Sequence, residues 1–221
     1  MVTIDVSASQ AFPGVKTGLL AMRHVVPSAP LSPSVITDAM EEIRRRYGHW
    51  DRAGLKALYP IKSYVDYYRK FGYSYHVLAQ LESVLKGKKQ FQTQPGLLQA
   101  MFITEVESML LTAGHDLARL QTPLQLKAAA GGETYLSISG KETAAVPGDL
   151  MICDGNSIIS SILRGPDSKS RITAETTDVL FTLYAPPAVT NEYLTQTLSA
   201  LAERISTGSP SAETICLQVY E

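Results

Sequence analysis

The sequence predicts an α+β fold in which helices cover one side of a largely antiparallel sheet system. Two observations carry that expectation. Between residues 32 and 114 apolar residues recur at helical spacing, in runs opened near Pro33, Pro60 and Pro95 and closed near Gly48, Gly72 and Gly87. From residue 124 onward the apolar period falls to two, and the runs are separated by turn pairs such as Gly131-Gly132, Pro147-Gly148 and Asp154-Gly155. Helices grouped in one half and strands in the other argue for segregated layers rather than alternating βα units.

Taken in order, residues 2–6 read as a short strand. Residues 15–26 (VKTGLLAMRHVV) are apolar enough for a central strand. Ser32 is placed to cap a helix with Pro33 in its first turn, and Ile36, Met40, Ile43 and Tyr47 carry its period to Gly48. Ile61, Tyr64, Val65, Tyr68 and Phe71 make the next stripe, and residues 78–86 a shorter helix. A longer helix is expected from Pro95 to Gly114. Strands are expected at 124–129, 134–139, 150–154, 157–163 and 178–185, with Asp154-Gly155 as a hairpin turn. A last helix, capped by Thr190, spans 191–206, and ICLQVY reads as an edge strand.

The chain has 221 residues, enough for one large domain, with 45% hydrophobic and 19% charged residues and a formal net charge of -1. Such a balance excludes a polyelectrolyte drawn as a whole to nucleic acid. Charge is uneven, however. Between Arg44 and Lys89 lie 11 of the 20 Lys and Arg residues against three acids, which fits either an anionic-ligand face or a set of solvated helix faces. Cys153 and Cys216 lack metal or redox spacing, no run is long enough to span a bilayer, and no leader pattern opens the sequence. A reduced cytoplasmic setting, no metal and no cofactor are the expectations.

No Gly-rich phosphate loop, HExxH, GxSxG or CxxC pair is present. Weaker groupings remain. His76 and Gln80, four apart on a helix, share a face, with Glu82 nearby; together they can orient a substrate or a water, or simply sit in a helix's first turn. His115-Asp116 after a helix end reads as a general base with an adjacent carboxylate, or as a capping aspartate beside an exposed histidine. Ser160-Ser161 in an apolar strand place a hydroxyl inward, where it needs a partner, and Arg164 and Arg171 flank the following turn. Tyrosines among Lys62, Arg69 and Lys70 suit stacking on RNA bases, although Tyr64 and Tyr68 fit the core stripe. Residues 61–116 are expected to form one wall of the site, with a polar hollow at the seam between helices and strands.

The segments YVDYYRKF…YHVLAQLESVLKGK, AMFITEVESMLLTAGHDLARL, AAAGGETYLSISGKE and GDLMICDGNSIISSILRGPDSKSRITAETTDVLFTLYAPP give the chain a family likeness over about residues 15–188. It resembles the B3/B4 domain, the tRNA-binding and editing region of the bacterial phenylalanyl-tRNA synthetase beta subunit, in free-standing form. The resemblance implies a layered, mostly antiparallel β-sandwich of unusual topology backed by helices. It implies tRNA or aminoacyl-tRNA as partner, with neither DNA nor membrane. It makes the chain a candidate deacylase acting in trans on mischarged aminoacyl-tRNA, with two alternatives: a non-catalytic module binding an amino acid, a small metabolite or RNA, or a different small-molecule enzyme on the same fold. The family's editing histidine and glutamate fall at Ala113 and Thr182. Chemistry would then rest on His115, His76 and Glu82, with Gln80, Asp116, Ser160, Ser161, Arg164 and Arg171 holding substrate.

Overall fold

The computed structural model describes residues 2–88 and 95–221. Lys89, counted above in the basic segment, lies outside the described residues. The elements run β1 (Val2–Ile4), α1 (Val6–Ala11), β2 (Lys16–Arg23), α2 (Pro33–Tyr47), α3 (Arg52–Ala57), α4 (Ile61–Lys70), α5 (His76–Leu85), α6 (Gly96–Ser108) and β3 (Thr112–Asp116). Then come β4 (Leu124–Ala128), β5 (Thr134–Leu136), β6 (Glu142–Ala144), β7 (Leu150–Cys153), β8 (Ile158–Ser161), β9 (Gly165–Pro166), β10 (Val179–Ala185), α7 (Asn191–Gly208) and β11 (Glu213–Tyr220).

A four-stranded antiparallel sheet has the order β11-β2-β10-β3, and a five-stranded sheet the order β1-β4-β7-β8-β9; the one parallel pair among the described strands is β1 with β4. Side-chain alternation gives the four-stranded sheet two distinct faces. Gly18 abuts Leu183 and Leu198 of α7, and Gly114 abuts Phe181 and Met101 of α6, so that face carries the helices. On the opposite face Tyr184 reaches Ser160 of β8 through their hydroxyls, which ties the two sheets together. The expected α+β sandwich with helices on one side is therefore the observed architecture.

Several local expectations are corrected. Val6 begins a helix instead of ending a strand, because Asp5 accepts the Ser7 N–H at 2.9 Å as an N-cap. Asp51 caps α3 in the same way, at 2.7 Å to the Gly54 N–H. The run 134–139 is a strand only to Leu136, beyond which Ser137 makes an isolated bridge to Asp167. The long helix stops at Ser108, with Met109 in the left-handed region at φ 56, and TAGHD is strand β3.

That stop has a physical cause. A helix end leaves carbonyls without intrahelical donors. Here three tyrosine hydroxyls supply them: Tyr47 of α2 donates to Glu107 O at 2.8 Å, Tyr193 of α7 to Ser108 O at 2.8 Å, and Tyr75 to Met109 O at 2.9 Å. Two residues on, Leu111 N–H donates to the Tyr64 hydroxyl at 3.2 Å, and Tyr64 in turn donates to Tyr184 O. The hydroxyl stands where the β3–β10 ladder would otherwise place a direct bond, since Tyr184 N–H already donates to Leu111 O. Removing it leaves a buried N–H and C=O to re-pair. Tyr64→Phe is expected to lower stability by about 1–3 kcal/mol, read from the midpoint of urea unfolding at unchanged slope.

Candidate functional site

A cavity of about 310 Å³ opens where α5 and α6 meet the free edge of β3. Its walls are His76 and Gln80 of α5; Leu98, Met101, Phe102 and Glu105 of α6; Leu111 to Gly114; and Ile138, Ser161, Ile162, Gly165, Pro166, Arg171, Ile172 and Tyr184 from the β-rich half. Residues 61–116 thus supply one wall of this cavity. The hollow differs from the expectation in character: its interior is mainly apolar, and the polar groups are few and separate.

Of the residues singled out in the sequence, His76, Gln80, Ser161 and Arg171 line this cavity. His76 and Arg171 are exposed. His76 Nδ1 lies 3.3 Å from the Tyr68 hydroxyl, whose proton goes to Ile162 O at 2.8 Å. Gln80 Oε1 is buried without a hydrogen-bond partner among the described residues. Ser161 donates to Asp149 at 2.7 Å and accepts the Arg164 N–H at 3.1 Å. Asp149, fully buried, also takes the Tyr67 hydroxyl at 2.6 Å and the Leu163 N–H at 3.1 Å. Burial raises its pKa against the lowering effect of those donors.

The other candidates do not reach the cavity. Glu82, half-buried on another face of α5, is ion-paired with Arg52. Asp116 caps the turn at Leu117–Arg119 through the Ala118 N–H at 3.0 Å and accepts the Thr176 hydroxyl at 2.9 Å. Ser160 is committed to the Tyr184 hydroxyl. Arg164 lies over the Tyr73 ring, 5.4 Å from its centroid, a cation–π contact outside the cavity walls. His115 is not a loop residue at all. Sitting in β3, it is fully buried, with Nδ1 2.8 Å from the Ser170 hydroxyl and Nε2 partnerless among the described residues.

The state of His115 follows from its neighbours. Ser170 gives its proton to Asp167, so its oxygen accepts from Nδ1–H, and Nε2 is the bare nitrogen of a neutral ring. Burial holds the imidazole pKa down at about 4, so the 3.9 Å approach of Asp167 is a relay through serine and not an ion pair. Glu105 is a wall residue that no sequence motif marks. Nearly fully buried on α6, it accepts the Thr112 N–H at 3.0 Å and seals part of the β3 edge.

Five cations of the basic segment share three carboxylates. Arg45 and Arg46 pair with Glu42, Arg52 with Glu82, and Lys62 and Arg69 with Asp66. Exposed pairs of this kind contribute little to stability but remove free cations from a would-be phosphate face. Among the described residues no group of three His, Cys, Asp or Glu stands close enough to hold a metal ion, and no helix is long and apolar enough to cross a membrane.

A depressed histidine pKa has a definite sign. Between about pH 6.5 and 4 the unfolded chain binds a proton that the folded ring refuses, so stability falls as pH falls through that window. His115 alone then costs roughly 3 kcal/mol by pH 4, before any opposing contribution from Asp149 and Asp167, whose raised pKa values act in the reverse direction. The stability of His115→Gln is expected to depend less steeply on pH between 6.5 and 4 than that of the parent, measured by urea unfolding at several pH values.

Comparison with known proteins places this geometry. Residues 106–205 match the family model described as B3/4 domain. The structure is similar to the crystal structure of an N-terminal fragment of the phenylalanyl-tRNA synthetase beta-subunit from Pyrococcus horikoshii, with a TM-score of 0.50 and 9% identity over 99% of this chain. The chain spans 50% of that fragment. No curated protein matches it. The matched residues begin within α6 and include β3, the edge on which the cavity is built. Over residues 106–205 the chain is thus similar to the B3/4 domain family.

Proposed function

We propose that the cavity binds an aminoacyl group with an apolar side chain, free or esterified to tRNA, without hydrolysing it. The observation that carries this reading is the cavity itself: about 310 Å³ of mainly apolar wall, with buried Gln80 Oε1 offering an acceptor and Arg171 a cation at the rim. That volume falls at the small end of ligand sites. The two positions that the family resemblance assigns to an editing histidine and glutamate, Ala113 and Thr182, are direct cross-strand partners on β3 and β10. Alanine and threonine there offer no base and no carboxylate. The Thr182 hydroxyl is buried and partnerless among the described residues.

A carboxylate or carbonyl oxygen at the rim would take Arg171, and the side chain would fill the space toward Ser161, Ile162 and Tyr184. Calorimetric titration with free amino acids is expected to show binding of Leu, Met or Phe and none of Asp or Lys. Arg171→Ala, an exposed change, is expected to weaken that binding about tenfold, the scale of one charge-assisted hydrogen bond. No heat with any apolar amino acid would remove the proposal.

Hydrolysis in trans is the second reading, and one observation favours it: exposed His76 lines the same cavity as Ser161. Against it, Ser161 gives its proton to Asp149, and its oxygen is held by the Arg164 N–H instead of by a histidine. A panel of mischarged tRNAs is expected to be deacylated no faster than background. Release that His76→Ala abolishes would reverse the order of the two readings.

A further inference from the structure

The register of β3 exposes an open piece of strand edge inside the cavity. In an antiparallel pair, alternate residues direct both N–H and C=O at the partner, and those between direct both away. Leu117 N–H donates to Asp178 O and Tyr184 N–H to Leu111 O, which fixes the odd-numbered residues of β3 as those bonded to β10. The even-numbered residues face outward. Thr112 N–H is taken by Glu105 at 3.0 Å and Asp116 N–H by Ser170 O at 2.7 Å. Between them the Thr112 C=O and the Gly114 N–H and C=O have no partner among the described residues, and half-exposed Gly114 lies on the cavity wall.

We propose that this edge is the recognition element for the α-amino and carbonyl groups of the bound aminoacyl moiety, which pairs with β3 as a one-residue strand. The proposal rests on the aminoacyl reading above and specifies how that ligand is held. An amino acid carries the same N–Cα–C=O unit as a strand residue, so its ammonium can donate to Thr112 O while its carbonyl oxygen accepts from Gly114 N–H. Charge sets the direction. The Glu105 carboxyl lies at the Thr112 end, and Arg171 follows Ser170 at the Asp116 end. A ligand running parallel to β3 therefore meets an acidic group with its amine and a guanidinium with its carboxyl. In this register its side chain falls on the side of Ala113, toward Ser161, Ile162 and Tyr184. Glycine at 114 keeps the edge narrow: a Cβ there would come within 2.9 Å of Ile172 and Phe181 side-chain carbons.

The recognition is of backbone, so it predicts which part of the ligand is required. L-Leucine and L-leucinamide keep both the amine and a carbonyl oxygen; N-acetyl-L-leucine and 4-methylpentanoate lose the ammonium. The first two are expected to bind at least tenfold more tightly than the last two. The edge is read directly by amide hydrogen exchange on full-length protein labelled with 15N-glycine and 13C-carbonyl alanine. The sequence has three Ala-Gly steps, at Gly54, Gly114 and Gly131, and the signal lost in Ala113→Ser identifies Gly114. Saturating L-leucine is expected to slow Gly114 exchange at least tenfold and leave Gly54 and Gly131 unchanged. Leucine binding with Gly114 exchange unaltered would overturn the strand-edge proposal and leave the aminoacyl reading standing. Absence of binding by every one of the four compounds would overturn both.

Discussion

The point at which α6 ends governs the rest of the molecule. Were the helix to continue through TAGHD, the four-stranded sheet would lose β3 and the cavity would lose its floor. Instead hydroxyls of Tyr47, Tyr75 and Tyr193, arriving from three separate elements, take the carbonyls of Glu107, Ser108 and Met109. The chain then leaves the helix through a left-handed methionine, a conformation that disfavours residues bearing a Cβ and persists only when its surroundings demand it. Tyrosine suits this task because its ring fills core space while its hydroxyl satisfies a buried polar group at a distance from its own backbone. Tyr64 and Tyr75, stacked at 4.7 Å, do both at once.

The same device recurs in the β-rich half. Tyr67 donates to Asp149 and accepts the Leu150 N–H, and Tyr68 donates to Ile162 O, so two rings of α4 are bolted to the start of β7 and the end of β8. Asp149 gathers donors from Tyr67, Ser161 and Leu163, and no cation among the described residues is bonded to it. Its interior position depends on these hydrogen bonds being complete, since a half-satisfied buried carboxyl is far costlier than an apolar substitute. The aromatic–basic interleaving of 61–75, which on sequence alone also suits stacking on bases, is therefore largely a means of docking helices on sheets: Tyr64, Tyr67, Tyr68 and Tyr75 are all buried.

Element types were readable wherever a local rule acted alone. Ser32 and Thr190 cap their helices as their positions predict, and Asp154 organises the β7–β8 turn by accepting the Asn156 and Ser157 N–H groups at 2.8 Å. What escaped was set by distant partners. Nothing within GLLQAMFITEVESMLLTAGHD marks Ser108 as a terminus, because the groups that cap it lie at 47, 75 and 193. The site suffered from the same error. With α6 extended, His115 became a loop residue free to act as a base, whereas a strand with period two sends it inward. His76 and Gln80 fared better, since a four-residue step on α5 needs only local geometry to put both on the cavity side. Glu105 gave no signal: an acid in a largely apolar helix becomes meaningful only once the strand edge it seals is known.

The placement of β2 has a kinetic consequence. This strand is flanked by β10 and β11, so Thr17 sits between Tyr184 and Tyr220. β10 begins at Val179 and β11 at Glu213, so neither neighbour is available to a nascent chain until long after β2 has been made. During that interval an apolar ribbon with two unpaired edges must be kept from pairing elsewhere. Contacts this remote in sequence make for slow assembly, and the waiting strand is the segment most exposed to mispairing and to chaperone capture.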